Sequence, residues 1–116
     1  MTQRQPRVKN PAHLDYVRSL FCVVCADNVT VEAAHIRFAC EEVGKRHTGM
    51  QEKPDDKWAV PLCGIHHREQ HTMNERGFWE GYGTDPIQIA RELYASSGDM
   101  EAGERTIIRN RMNAAT

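Results

Sequence analysis

The stretch "PLCGIHHREQH", residues Pro61 to His71, sets one cysteine and three histidines within nine positions, from Cys63 to His71. So dense a run of soft donor atoms raises the choice between one bound metal, two, or none. Upstream, "CVVC" supplies a second pair, Cys22 and Cys25, at the same two-residue spacing that separates Cys63 from His66. Two such knuckle pairs make the tetrahedral, sulfur-rich sphere that structural zinc prefers, each pair gripping the ion from one tight turn. The long gap between the pairs means that the ion ties an N-terminal segment to the start of a later helix. In a short chain such a site contributes on the order of 10 kcal/mol to folding. A thioredoxin-like role for the CxxC is the weaker reading, because no βαβ pattern surrounds it. Cys40 is left over as an ordinary thiol.

With Cys63 and His66 assigned, His67 and His71 remain. Four apart on a predicted helix, they leave from one face and can share a second ion. His66 points about 100° away from His67, so neighbouring residues serve two sites. On a strand upstream lies His35, in "EAAHIR". Its ordinary pKa near neutrality suits a general base that takes a proton from water above a divalent ion. The ion would stabilise charge on a phosphate and on the departing oxygen.

Working outward, "PAHLDYVRSLF" predicts a helix opened by Pro11, with Leu14, Val17, Leu20 and Phe21 on its buried side. "NVTVEAAHIRFA" predicts a strand or hairpin over Val29 to Phe38. Cys40 to Lys57, charged and broken by Gly44, Gly49 and Pro54, reads as a long functional loop. "WAVPLC" is a second apolar run. The spacing then predicts a helix from Ile65 to Glu75 that ends near Gly77. Another helix opens on Asp85 and Pro86, buries Ile87, Ala90, Leu93 and Tyr94, and stops at Gly98. The resulting division is a flexible basic arm over 1–10, a zinc-supported domain over 11–98, and a C-terminal helix or tail over 99–116.

The totals agree with one α+β domain. The chain has 116 residues, 40% hydrophobic and 27% charged, with a formal net charge of -1, and a pI near 6.6. Near-neutrality argues against a protein that coats nucleic acid by bulk charge, while leaving room for an enzyme that grips a few phosphates locally. No apolar run approaches the ~20 residues of a membrane span, and "MTQRQPRVKN" lacks the apolar core of a secretory signal. The expected setting is cytoplasmic, with no membrane partner, and there four cysteines read as metal ligands or free thiols rather than disulfides.

The wording "AHIR…KPDDKWAVPLCGIHHREQH", with the CxxC before it, resembles the HNH (ββα-metal) endonucleases. In particular it is similar to their zinc-supported branch and to the phage and prophage Ref-like nuclease group. The resemblance spans roughly Phe21 to His71. It implies a small ββα-metal core, a β-hairpin and helix around a structural zinc, plus flanking helices. It also implies metal-dependent hydrolysis of DNA phosphodiesters, leaving a 3'-hydroxyl and a 5'-phosphate. Carried over by residue, His35 falls on the general base, and His67 and His71 on ligands of a catalytic divalent ion, Mg2+ or another. Cys22, Cys25, Cys63 and His66 fall on the structural Zn2+ site.

Two positions depart from that pattern. Ala34 stands where many members carry a metal ligand, and Trp58 where an asparagine orients the base. Asp55 or Asp56, with Asp56 favoured, would replace that function by coordinating the ion or holding His35 in its tautomer. Arg37, Lys45, Arg46, Lys53 and Lys57 are the candidate DNA-phosphate contacts, and Arg4, Arg7 and Lys9 on the arm a second set. Nothing reads bases, so low sequence specificity is expected. The implied work is phage or prophage recombination or DNA processing, with DNA and a recombinase or similar protein as partners. The rivals are a catalytically degenerate zinc module that binds nucleic acid or protein, and a zinc scaffold in which His67 and His71 have no special role.

Overall fold

A computed structural model of the chain describes residues 7–46 and 53–114. Helix α1 (Pro11–Arg18) begins where the Asn10 side chain accepts a hydrogen bond from the His13 amide and Pro11 occupies the first turn. That pairing satisfies an otherwise orphaned donor and uses a residue with no N–H to lose. Val17 and Leu20 are buried as expected and Phe21 packs against the core, but His13 and Tyr16 join the buried face while Leu14 is only half-buried. His13 belongs there because its Nδ1 meets Ser97 Oγ at 2.7 Å, while the Tyr16 hydroxyl donates to the Asp99 carbonyl at 2.8 Å.

Strand β1 (Val31–His35) pairs antiparallel with β2 (Ala59–Cys63), in a register that sets Val31 opposite Cys63 and His35 opposite Ala59. Of the strand or hairpin expected over Val29 to Phe38, the single strand is what forms, confined to Val31–His35, and its partner is the later apolar run on the far side of the loop. All five β2 residues are buried, which explains why they read as a continuous apolar stretch.

Cys63 ends β2 and opens α2 (Gly64–Thr72). This helix stops earlier than Glu75. Met73 is extended, and Asn74 caps a new helix, α3 (Glu75–Gly81), its side chain accepting from the Gly77 amide at 3.0 Å. Gly77 thus lies inside α3. Helix α4 (Pro86–Ala95) opens as expected, with Asp85 accepting from the Ile87 and Gln88 amides. It buries Ile87, Ile89, Ala90 and Leu93, while Tyr94 is 42% exposed. Of the expected C-terminal helix or tail, the described residues form a packed helix, α5 (Met100–Ala114), which lies along α4. Gly103 permits the close approach of α5 to α1, since a Cβ there would fall 2.3 Å from the Tyr16 hydroxyl and 3.0 Å from Leu20 Cδ2.

The sheet thus sits among helices, with α1, α2 and α4 against it, and Val60, Leu62, Phe78, Trp79, Ile89 and Leu93 in one core. Residues 7–10 are fastened rather than mobile. Val8 N donates to Asp55 Oδ1 at 2.8 Å, Asp56 N to the Val8 carbonyl at 3.0 Å, and Asn10 N to Asp56 Oδ2 at 2.7 Å. The arm residue Arg4 lies outside the described residues. Among those described, no helix is long and apolar enough to cross a membrane.

Candidate metal centre and adjoining cleft

Helix α2 has no apolar stripe. Only Gly64 and Gln70 are buried along its nine residues, so it cannot be held chiefly by hydrophobic docking, and a helix this short is marginal alone. Its start is anchored instead by donor atoms. Cys22, Cys25, Cys63 and His66 gather so that one ligand atom from each lies within 4.8 Å of all the others. Cys25 Sγ is 3.8 Å from Cys63 Sγ, and His66 Nδ1 is 3.1 Å from Cys63 Sγ and 3.8 Å from Cys22 Sγ. Bonds of about 2.3 Å arranged tetrahedrally put two sulfurs about 3.8 Å apart, so this Cys3His group fits a metal ion such as zinc. Burial foremost, with its neighbours Cys22 and Cys63 adding, pushes the Cys25 thiol up to about 11. A cation is the partner that would bring such crowded sulfurs to thiolates. Tyr82 backs the group, its ring edge-on to His66 at 5.7 Å and its hydroxyl donating to Glu69 Oε1 at 2.8 Å.

Beside this group opens a cleft of about 340 Å³. It is lined by His35, His67 and His71 together with Arg7, Arg18, Arg37 and Lys53. The helical spacing works as expected for the pair, since His67 Nε2 and His71 Nε2 stand 3.1 Å apart, close enough to share a proton or a cation. Burial, then the nearby His67 and Arg37, lower the pKa of His71, and burial also lowers that of His35 against the opposing pull of Asp56. Both imidazoles are therefore held toward their neutral, lone-pair-bearing forms.

Asp56 is buried and reaches His35. Its Oδ1 lies 3.0 Å from His35 Nε2 and also receives the Arg7 guanidinium, while Oδ2 accepts the Asn10 amide. Although burial acts to raise its pKa, the Asn10 amide, His35 and Arg7 outweigh it and hold the carboxyl down at about 2. An ionised carboxylate can only accept, so His35 carries its proton on Nε2 and keeps Nδ1 bare. Of the two functions considered for Asp56, the geometry brings it to His35.

The basic residues divide. Arg37 and Lys53 are exposed and line the cleft. Lys57 is half-buried, its Nζ 5.2 Å from the Trp58 ring centre, and Arg46 is half-buried at the edge of the described loop. Lys45 is a correction: it is 1% exposed, with Nζ 5.9 Å from the Trp58 ring, and cannot meet a phosphate outside. The turn Glu41–Val43, closed by Gly44 in the left-handed region (φ 75°), pairs Cys40 with Lys45 and turns the lysine inward.

Three contributions are not legible in the sequence. Arg7, a candidate phosphate contact on the arm, is ion-paired with Asp56. Glu75 accepts from the Arg37 and Phe38 amides and from Gln70, holding the end of β1 against α2. Glu32 meets His67, its Oε1 2.6 Å from Nδ1; its only signal in the sequence is an acid three residues before His35 in a short strand. Ala34, where a metal ligand is common in the resembling enzymes, is fully buried in the core.

Residues 2–98 match a family described as "Protein of unknown function (DUF968)". No curated protein and no solved structure matches the chain.

Proposed function

The chain belongs to the DUF968 family, and from its own residues we propose that it is an HNH-type, metal-dependent DNA endonuclease of low sequence specificity. The observation that carries the reading is the single cleft in which His35, His67 and His71 meet four cationic side chains. An acid-base group, a ligand pair and phosphate-binding charge are the three parts that phosphodiester hydrolysis needs, and few other reactions call for all of them together.

The structural ion would sit in the Cys3His group and fix the first turn of α2. The 3.1 Å between the Nε2 atoms of His67 and His71 fits two imidazoles on one cation, whose bonds of about 2.0–2.1 Å place neighbouring nitrogens roughly 3 Å apart. When bound there, a divalent cation supplies Lewis-acid stabilisation of the charge that builds on the phosphate and the departing oxygen. Two imidazoles without a carboxylate suit Zn2+, Ni2+ or Fe2+ better than Mg2+. His35, with Asp56 fixing its tautomer, accepts the proton of the attacking water at Nδ1. Arg37 and Lys53 hold the phosphate backbone from the exposed rim, while Arg7, which also lines the cleft, is paired with Asp56. The phage or prophage setting, and a recombinase as partner, follow from the resemblance alone.

Burial of Ala34 favours a second reading, a degenerate module that binds nucleic acid through this cleft without cutting it. Cleavage of supercoiled plasmid separates the two. Zinc-loaded protein is assayed with Mg2+, Mn2+ and Ni2+, beside His35→Ala. The nuclease reading expects nicked product that falls about 10²–10⁴-fold in the variant. Equal cleavage by the two proteins removes His35 as base, and DNA binding without cleavage under all three ions supports the degenerate module.

A further inference from the structure

His67 has partners on both ring nitrogens, and they differ in kind. On one side Glu32 Oε1 lies 2.6 Å from Nδ1; on the other, His71 Nε2 lies 3.1 Å from Nε2. An ionised carboxylate has no proton to give, so Nδ1 must be the donor and a neutral His67 then keeps Nε2 bare. A histidine that offers one nitrogen to a cation and donates the other N–H to a carboxylate is the pairing found behind metal-ligating imidazoles. Glu32 cannot be a co-ligand in this arrangement, because it and His71 meet opposite edges of the same ring. It sits in register opposite Leu62, one residue before Cys63, where the Cys3His group and α2 begin. The carboxylate is therefore carried on the strand paired with the metal-anchored segment.

The geometry points to Glu32 as the positioning residue of the histidine pair, which commits His67 to the Nδ1–H tautomer and aims its bare Nε2 at the point shared with His71. The inference rests on the proposed ion at His67 and His71. It adds a residue that neither the spacing of the histidines nor the resemblance assigns. It also identifies what this chain has beside the buried Ala34. Glu32 and Ala34 share strand parity, and the acid on that face supports a ligand from behind instead of serving as one.

Two measurements on the zinc-loaded full chain test it. The first is the ¹⁵N spectrum of the imidazoles without a second ion, comparing wild type, Glu32→Gln and Glu32→Ala. Glu32 is largely exposed, so these variants keep the core. Wild type should show His67 Nδ1 protonated and Nε2 bare, Glu32→Gln should retain that tautomer through its amide oxygen, and Glu32→Ala should show a mixture. The second is calorimetric titration with Ni2+. Affinity should fall roughly 10–100-fold in Glu32→Ala, less in Glu32→Gln, and vanish in His71→Ala. An unchanged tautomer in Glu32→Ala, or Ni2+ bound as tightly as by wild type, overturns the role of Glu32 and leaves the ion site standing. Wild type that takes up no Ni2+ beyond its zinc overturns the ion site, and this inference falls with it.

Discussion

His35 Nε2 and Asp56 Oδ1 lie 3.0 Å apart, joining a strand residue to a buried carboxylate 21 positions later. The same carboxylate receives Arg7 and the Asn10 amide, so one side chain orients the proposed base and fastens the N-terminal segment. Asp56→Asn keeps the shape but can present an N–H to Nε2, which then has to become the bare nitrogen. Cleavage should drop about 10²–10⁴-fold with little change in DNA affinity. Unchanged cleavage by a folded Asp56→Asn protein would deny Asp56 that role.

Acid should expose the stabilising side of the same contact. The Asp56 pKa is lowered from 3.8 to about 2 in the fold, so its contribution is present above pH ~4 and is lost as pH falls from there through ~2. That difference corresponds to about 2 kcal/mol. Urea unfolding at pH 5 and pH 2.5 should show a smaller acid loss in Asp56→Ala than in wild type; parallel losses would contradict the contact's contribution.

His13 predicts a second pH effect at a higher window. It is 1% exposed, and burial lowers its pKa from 6.5. The unfolded chain takes up a proton below pH 6.5 that the native state resists, so stability falls as pH drops from 6.5 toward the lowered value. His13→Asn can keep an acceptor or donor for Ser97 without the titration. Its stability should change less between pH 7 and pH 5.5 than that of wild type. An equally steep wild-type and variant slope would move the effect to other groups.

Much of the site was readable because it is local chemistry. The x2 pairs at Cys22–Cys25 and Cys63–His66 and the x3 pair at His67–His71 are set by the geometry of one turn, and the structure brings each group together as its spacing implies. What escaped depends on distant chain. The partner of β1 lies across a loop of more than twenty residues, and pairing over such a separation leaves no periodic mark in either strand. Lys45 reads as a surface cation until the Gly44 turn rolls it beneath Trp58. Arg7 reads as part of an arm until Asp55 and Asp56 are seen to capture residues 7–10. Tyr94, placed on the α4 stripe by period alone, is 42% exposed and meets the core through the edge of His13, ring centres 5.0 Å apart, while Ile89 joins the buried set.

The lysines separate under salt. Lys53→Ala, on the rim of the cleft, should weaken DNA binding and reduce the slope of log K against log salt by about 1. Lys45→Met, within the core, should leave that slope unchanged. A slope that shifts with Lys45 and not with Lys53 would place the DNA on another face.

The Cys3His group should govern folding while Cys40 does not. Cys63→Ser, or chelation of the protein, should abolish cooperative unfolding, consistent with a contribution on the order of 10 kcal/mol. Cys40→Ser should melt within a few degrees of wild type. Cooperative melting of the chelated protein at the wild-type temperature would make these cysteines ordinary core residues.

Adjacent residues on α2, His66 and His67, are assigned to different ions, and anomalous diffraction from crystals grown with Zn2+ and soaked in Ni2+ locates both directly. The predicted map has a zinc peak among Cys22, Cys25, Cys63 and His66, and a separate nickel peak touching the Nε2 atoms of His67 and His71. One peak in the cysteine group, with His67 and His71 bound to no metal, would contradict the account.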